Sequence, residues 1–459
     1  MNPATQNMHL VLLSGGSGKR LWPLSNDSRS KQFLKVLKNP ENGMESMVQR
    51  VWRQITLAGF ADQTTITTSK AQSELLENQL GNVQSLIIEP ERRDTFPAIA
   101  LSATYLYSKK RARPDDVVIV LPVDPYVESG FFERIKLLGN VLQESGSNLA
   151  LLGVRPTYPS TKYGYIVPQE GTVNLNHFAK VSHFKEKPTI SEAEVLIEQN
   201  AKWNCGVFAF RLNYLFKILT NKGLPVEYDF LYREYRRLPK ISFDYEVVEK
   251  ENSIVMVSYD GYWKDLGTWN TLTEEMDSLV IGNAFLDNTS ENTHVINELD
   301  IPITVLGTSN AVIAASPDGI LVCDKNHSPF IKDIVSTYDN LPMHMERRWG
   351  YYRILDYTQK ESKEILTRRV TLHEGKNLSY QFHNHRTETW TIISGKGEVV
   401  IDGKARKVLP GDVVKIPNKC KHSIRAETTL EFIEIQYGTI SEEDVHRLTY
   451  SWEDALIIK

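Results

Sequence analysis

Short apolar runs bounded by glycine, proline and polar turns set the pattern of the first half of the chain. His9-Leu-Val-Leu-Leu13 reads as a buried strand and runs straight into Ser14-Gly-Gly-Ser-Gly18 and the basic pair Lys19-Arg20. Val117-Val-Ile-Val-Leu121 ends at Pro122-Val-Asp124, and Leu149-Ala-Leu-Leu-Gly153 opens into a proline-rich loop. Residues 47–55 and 98–110 are helix-like segments between such runs. Strands separated by helices predict a three-layer α/β sheet, mostly parallel, whose ligands gather beyond the carboxyl ends of its strands. The glycine run and Asp124 both stand at such ends.

The texture changes after about residue 275. From Gly282 to Val335 the runs His294-Val-Ile, Ile303-Thr-Val-Leu and Ala311-Val-Ile-Ala are short, β-like and broken by Asn, Asp and Gly, with no helical period. A small β-rich linking domain is expected there. From Glu346 onward polar and apolar residues alternate over 364–372, 388–393, 397–401, 412–416 and 430–436, with turns at Gly375, Gly395, Gly403 and Pro410-Gly411. That spacing predicts an antiparallel barrel or jelly roll. Three domains follow: 1–275, 276–345 and 346–459.

Composition narrows the function classes. The 459 residues are 41% hydrophobic and 24% charged, with a net charge of -4, so there is no electrostatic case for binding nucleic acid. Cys205, Cys323 and Cys420 are far apart and form no CxxC pair, which argues against a disulfide framework or a thiolate zinc site. No apolar run is long enough to cross a bilayer and no secretory leader is visible. A cytoplasmic protein without membrane partners is expected, and an oligomer is left open.

A glycine-rich turn after a buried strand lets backbone N–H groups approach a phosphate, because no Cβ intervenes. Here Gly15-Gly-Ser-Gly18 lacks both the ending of a Walker loop and the spacing of a dinucleotide fingerprint. Alone such a turn is often only a turn, and Arg20 or Lys31 alone is ordinarily a solvated charge. Asp124 could cap the next segment, and Asp265 could make a turn before Gly267.

The combination is more specific. Leu13-Ser-Gly-Gly-Ser-Gly-Lys-Arg-Leu-Trp-Pro-Leu24 and Lys31-Gln-Phe-Leu34 resemble the opening signature of mannose-1-phosphate guanylyltransferases of the long bacterial type, which end in a mannose-6-phosphate isomerase-like domain. The segments 89–100, 184–188, 203–208, 244–250 and 263–269 follow in the family's order. The resemblance implies a Rossmann-like nucleotidyltransferase domain, a left-handed β-helix-like linker and a cupin β-barrel. It implies a nucleoside triphosphate, by family default GTP, and a hexose 1-phosphate, by default mannose 1-phosphate, as substrates.

It also implies roles. Arg20 and Lys31 would hold the triphosphate and stabilise the leaving pyrophosphate, while Asp124 and Asp265 would bind Mg2+. Leu13, Gly15, Gly16, Ser17, Gly18, Glu89, Arg93 and Asp94 would line the nucleotide. Tyr163, Gly164, Glu186, Lys187 and Asn204 would take the sugar phosphate. The chain departs from the family at Asp94, usually Asn, at Pro125, usually His, and at Ser30, usually Pro.

In the C-terminal part, Gln381, His383, Glu388 and His422 resemble the metal-ligand positions of cupins. Alternation places Gln381, His383 and His385 on one strand face, pointing into the barrel, and His385 could substitute as a ligand. Zinc, iron, manganese and nickel all suit such donors. The family's Glu-His-Trp reads Glu388-Thr-Trp390 here, and near the C-terminus Arg447 is kept while the usual aspartate and terminal arginine are not. A mannose 6-phosphate isomerase and a purely structural barrel both remain open. A non-catalytic binding protein is disfavoured, because decay would have spared fewer of Arg20, Lys31, Asp124, Lys187 and Asp265.

Overall fold

The runs that read as strands are strands: Met8–Ser14, Val117–Pro122 and Leu149–Val154, the last buried at every position. A strand with no exposed face needs layers on both sides, as an α/β sheet provides. The computed structural model describes residues 8–16, 19–26, 28–81, 83, 85–172, 178–338, 341–360 and 363–458. They form two compact units. The first takes the described residues of Met1–Gly18, Ser30–Ser73 and Leu80–Asp277, and the second those of Lys19–Arg29, Glu74–Gln79 and Ser278–Lys459.

A nine-stranded sheet organises the first unit, in the order Leu86–Glu89, Thr64–Ser69, Met8–Ser14, Val117–Pro122, Lys202–Arg211, Leu149–Val154, Ile254–Tyr259, Phe178–Lys185 and Tyr165–Pro168. The first four strands are mutually parallel. Lys202–Arg211 then runs antiparallel to both of its neighbours, and Phe178–Lys185 likewise. The sheet is therefore mostly parallel but mixed: seven strands share one direction, and these two run against them. An apolar run announces a buried strand but carries no sign of its direction. Phe96, Ile99, Leu101 and Leu106 of the helix Thr95–Lys110 pack with Leu212, Leu215 and Leu219 of the helix Leu212–Asn221 in the main core.

Register places the chemistry. Met8–Ser14 and Val117–Pro122 are neighbours, with Leu13 opposite Pro122. The glycine turn and Asp124 therefore leave the sheet side by side, at the carboxyl ends where ligands gather in such sheets.

In the second unit Val280–Gly282, His294–Asn297 and Ala311–Ser316 form a parallel ladder, and Ala284–Leu286 pairs in parallel with Ile303–Val305. Val295, Val305 and Ile313 form a small core among these strands. Contrary to the sequence expectation for this stretch, Ile331–Val335 is helical. Five residues are too few to display a period. Two antiparallel sheets follow, of six and five strands. Trp390, Phe432, Val399 and Ile424 belong to their shared core. The long strand Gly350–Lys360 escapes the alternation rule because its register shifts between Ile354 and Asp356. Among the described residues no helix is long and apolar enough to cross a membrane.

Gly282 has φ +87°, and a Cβ there would fall 1.9 Å from the Asn297 carbonyl oxygen. Backbone cannot yield as a side chain can. Gly282→Ala is expected to cost the second unit more than about 2 kcal/mol, seen as a lowered midpoint in thermal unfolding with the first unit's strands still protected in hydrogen exchange.

Candidate active site

A two-stranded ladder assembles the acidic pair. Pro125–Val127 pairs antiparallel with Trp263–Asp265, and Asp265 lies opposite Pro125. Asp124 precedes that pairing by one residue, so two carboxylates far apart in sequence become neighbours. Pro125 starts its strand, a position where a missing N–H is tolerated. Between the carboxylates lies the Lys31 ammonium, with Nζ 2.8 Å from Asp124 Oδ2 and 3.1 Å from Asp265 Oδ1. Burial works against the Lys31 charge, but Asp124 and then Asp265 override it and raise its pKa above the ordinary lysine value. Lys31 is thus a fixed positive charge.

The glycine turn is tied to the same segment. Gly16 has φ +97° and an open space where a Cβ would stand, as does Gly15. The Gly16 carbonyl accepts from Ser30 Oγ at 2.9 Å and from Gln72 Nε2 at 3.1 Å, and Gln72 also reaches Ser30 Oγ. Ser30, where the resembled family has proline, thus fastens the turn to the residue before Lys31. Gln72 was not legible in the sequence, since nothing marks a lone helical glutamine as a bridge. Leu13 is half-buried at the end of its strand, and its carbonyl accepts from Val123 N at 3.3 Å. Ser17 and Gly18 lie outside the described residues. Arg20 is exposed in the short helix Lys19–Leu21, which belongs to the second unit.

Three further residues expected at the nucleotide have well-defined local partners. Glu89 ends the edge strand and accepts from Tyr235 Oη at 2.6 Å. Burial pushes its pKa up to about 7 against that hydrogen bond. Arg93 donates to Glu91 and to the Leu238 carbonyl. Asp94 has φ +73° and caps the helix Thr95–Lys110, accepting from Thr95 N at 2.7 Å. Short Asn and Asp side chains tolerate positive φ best among non-glycine residues, which rationalises an Asp where Asn is usual.

The residues expected at the sugar also converge. Asn204 N donates to the Gly164 carbonyl and Lys187 N to the Tyr163 carbonyl. A Cβ at Gly164 would fall 2.5 Å from Glu186 Oε2, so glycine makes room for that oxygen. Lys187 Nζ pairs with Glu186 Oε1 at 2.9 Å, whereas Glu186 Oε2 is buried with no hydrogen-bond partner. An orphaned buried acceptor is costly unless a ligand supplies the donor. Tyr163 packs against Trp203 and Trp263, and Trp263 shares a strand with Asp265, which links the two ends of the site.

Asp244 is a member of this cluster that the sequence reading did not assign. Its Oδ1 accepts from Asn204 Nδ2 at 2.6 Å. Burial first, then the Glu186 carboxylate, push its pKa up to about 7, with Asn204 and Lys187 opposing. The only signal for it was its place in the 244–250 segment.

The barrel holds a second cluster. His383, Glu388 and His422 are buried, with ligand atoms within 4.8 Å of one another. His383 Nδ1 faces the Asp444 carbonyl at 3.1 Å and His422 Nδ1 faces the Cys420 carbonyl at 2.9 Å. A carbonyl only accepts, so each Nδ1 carries the proton and each Nε2 presents a lone pair. Both Nε2 atoms face Glu388, at 3.2 Å and 3.6 Å. Glu388 Oε2 and His422 Nε2 have no hydrogen-bond partner. Converging unpaired lone pairs are the donor set of a cation, so the residues fit a transition metal. Gln381 lies beside them, its Nε2 3.5 Å from His383 Nε2.

His385 does not join, which corrects the alternation argument. The strand stops at Phe382, His385 is exposed, and Arg386 takes the inward place, donating from Nε to Glu388 Oε1 at 3.0 Å. Arg447 is exposed and paired with Glu442.

Comparison with known proteins gives each half of the chain a family. Residues 9–280 match the nucleotidyl transferase family and residues 337–450 the mannose-6-phosphate isomerase C-terminal family. The xanthan biosynthesis protein XanB of Xanthomonas campestris pv. campestris (strain ATCC 33913) is 30% identical, over 95% of this chain and 97% of its own. A mannose-1-phosphate guanylyltransferase of Salmonella montevideo is 28% identical, over 96% and 98%. A crystal structure from Thermus thermophilus, described as mannose-1-phosphate geranyltransferase, superposes with a TM-score of 0.60 at 28% identity, over 72% of this chain and 98% of that one. The chain belongs to the nucleotidyl transferase family, among the mannose-1-phosphate guanylyltransferases that end in an isomerase-type domain.

Proposed function

We propose that the chain transfers a guanylyl group from GTP to mannose 1-phosphate, forming GDP-mannose and releasing pyrophosphate. The observation that supports this most is the convergence of Asp124, Asp265 and Lys31 at the end of the strands from which the glycine turn also emerges. The attacking phosphate oxygen of a hexose 1-phosphate is already anionic, so the reaction needs no general base. A bond forms from that oxygen to the α-phosphorus while the bond to the β-phosphate breaks, its electron pair leaving on pyrophosphate. Positioning and charge neutralisation are then the whole task.

In this reading Lys31 faces the triphosphate, and Gly15 and Gly16 bring bare backbone against it. Glu89, Arg93 and Asp94 border the nucleoside. Asp124 and Asp265 hold Mg2+, a hard cation that neutralises phosphate oxygens. Lys187 takes the sugar phosphate, Glu186 Oε2 accepts from a sugar hydroxyl, and Asn204 and the Tyr163-Gly164 turn border the ring. Residues 276–345 serve as a linking domain in their own right, and the free cysteines suit a reducing cytosol.

The barrel supports a second reading, favoured by the lone pairs that meet at His383, Glu388 and His422. These residues, with Gln381, hold a divalent transition metal, and the domain isomerises mannose 6-phosphate. Such a metal would polarise the sugar oxygens next to the carbon that loses its proton. Around it, Gln436 and Arg386 keep Glu388 in place through hydrogen bonds of 3.1 Å and 3.0 Å.

Four nucleoside triphosphates assayed against several hexose 1-phosphates should release pyrophosphate fastest with GTP and mannose 1-phosphate. Asp124→Asn and Asp265→Asn should each lower kcat by about a hundredfold or more. No release in any combination removes the proposal, and release with another base overturns the named product.

Asp244 makes the first unit's stability depend on pH. Its folded pKa of about 7 lies above the ordinary 3.8, so between these values the folded chain holds a proton that the unfolded chain has lost. Folding therefore loses stability as pH rises through this window. The melting temperature of Asp244→Asn relative to the unchanged protein should climb from pH 4 to pH 7 and then level off. The corresponding change in stability should amount to about a few kcal/mol at most, since each tenfold change in proton affinity is worth on the order of 1.4 kcal/mol. A flat difference contradicts the assignment.

For the barrel, His383→Ala should abolish bound zinc or manganese in elemental analysis and the thermal stabilisation that added metal gives. Mannose 6-phosphate turnover should survive Asp124→Ala and vanish in His383→Ala. Equal metal content in His383→Ala and the unchanged protein refutes the cluster as a metal site.

A further inference from the structure

Asp244 stands on the short helix Phe243–Glu246, and the transfer reaction as proposed gives it no task. A carboxylate in the first turn of a helix is ordinarily explained by the helix dipole, which favours its charge. That explanation fails here, because burial and the Glu186 carboxylate favour the neutral acid.

Its partner, Asn204, stands where the sheet is irregular. The pairing of Lys202–Arg211 with Leu149–Val154 shifts register between Asn204 and Phe208. Asn204 Oδ1 accepts from the Gly206 N–H at 3.1 Å, and Asn204 Nδ2 donates to Asp244 Oδ1 at 2.6 Å. Held at both ends, the amide is fixed against rotation, with one N–H and one lone pair left for a ligand. Asp244 Oδ1 can accept this bond in either protonation state, the proton of the neutral acid standing on Oδ2. Ionisation therefore changes the charge beside Asn204 without removing the hold on it.

That charge matters because of its surroundings. After the strand Phe178–Lys185 come Glu186, which favours the neutral acid, and Lys187, which opposes it. Lys187 Nζ is already paired with Glu186 Oε1 and stands 5.6 Å from the centre of the Tyr245 ring. Other charges on the adjoining elements have partners of their own. Glu249 accepts from Glu186 N, Glu246 pairs with Lys222 and Lys250, Lys202 pairs with Asp260, and Asp94 caps the helix Thr95–Lys110. An ionised Asp244 would thus leave two carboxylates and one ammonium where an anionic sugar phosphate is to bind.

We propose that Asp244 is a positioning residue for the hexose 1-phosphate: it holds the Asn204 amide for the sugar, and its ionisation weakens binding by setting a second negative charge beside Glu186. The proposal rests on the reading of Glu186, Lys187 and Asn204 as the sugar-phosphate residues. Because the folded acid titrates at about 7, binding is tight below that pH and falls off above it. The coupling is reciprocal, since a bound phosphate tightens the hold of Asp244 on its proton by the factor that losing the proton weakens the phosphate.

The test measures kcat and KM for the hexose 1-phosphate from about pH 6 to about pH 9, in the full chain, in Asp244→Asn and in Asp244→Ala. The phosphate of the substrate titrates near pH 6, alike for every variant, so ratios of KM between variants are free of it. KM of the unchanged protein divided by that of Asp244→Asn should rise by about threefold to tenfold over this range. Asp244→Asn keeps an acceptor for Asn204, whereas Asp244→Ala removes it and should have a KM about tenfold above that of Asp244→Asn at every pH. KM for the triphosphate should stay within about twofold throughout.

A residue kept for folding alone would lower the melting temperature of Asp244→Ala and leave KM for the sugar phosphate, and its pH profile, as in the unchanged protein. That result, or a ratio flat across pH, overturns the proposal. Should the variants not fold, the unchanged protein decides: above about pH 7 its substrate is fully ionised, so a rise in KM there supports the proposal and a constant KM refutes it. If the unchanged protein turns over no substrate pair, the transfer reading itself has failed. Calorimetric binding of mannose 1-phosphate over the same pH range then decides. Affinity that falls with pH in the unchanged protein and not in Asp244→Asn supports the coupling, and no binding or equal profiles refute it.

Discussion

A half-buried ammonium clamped by two carboxylates is the contact on which the candidate site of the first unit depends. Lys31 lies within 3.1 Å of both Asp124 and Asp265. Three charges of mixed sign in a partly desolvated place are tolerated because each screens the others' loss of water. The backbone work behind that contact is small: one short ladder between Pro125–Val127 and Trp263–Asp265. Because Asp265 stands opposite Pro125, a slip of one residue would turn its carboxylate to the other face. The ladder's register thus decides where the two carboxylates face.

The cluster proposed for the sugar obeys a different constraint. Gly164, Glu186, Asn204 and Asp244 crowd together with one acceptor, Glu186 Oε2, left without a donor. Two carboxylates close to each other disfavour double ionisation, which is why Asp244 is pushed up to about 7 by burial and by Glu186. A neutral Asp244 lessens the negative charge that a phosphorylated sugar would meet beside Lys187. The aromatic contacts of Tyr163 with Trp203 and Trp263 give this end a rigid wall, and Trp263 shares its strand with the metal-binding candidate Asp265.

Much of this was legible in the sequence. Strands at 9–13, 117–121 and 149–153 and the antiparallel texture after residue 346 follow from periodicity, and Lys31, Asp124 and Asp265 came from ordered motifs. What escaped has physical reasons. Strand direction is invisible to hydrophobicity, so the antiparallel Lys202–Arg211 went unseen. Strict alternation put His385 inside, whereas the strand ends at Phe382 and Arg386 turns inward. Gln72 and Asp244 act through contacts with residues distant in sequence, Gly16 and Ser30 for the one and Asn204 for the other. No local pattern encodes such contacts. The bond from Ser30 to Gly16 shows the converse, since a departure from a motif can be a substitute fastening and not a loss.

The two clusters also differ in what each leaves unbalanced, and that difference argues for separate ligands. In the first unit the carboxylates already have a cation, Lys31, so what enters must compete for or share positive charge, as a polyphosphate with its counter-ion does. In the barrel the excess is of lone pairs: His383 and His422 both turn Nε2 toward Glu388, with Nδ1 committed to backbone carbonyls. A proton, a water that donates hydrogen bonds or a metal ion relieves that arrangement. A proton on His422 is disfavoured, because burial lowers its pKa even with Glu388 close by. Arg386 offers partial relief through Glu388 Oε1 and His383 Nε2 but leaves Glu388 Oε2 and His422 Nε2 unmatched. A barrel kept only for structure would be more stable with apolar residues in those places. The retention of an unsatisfied donor set in a buried core is therefore an argument for chemistry there.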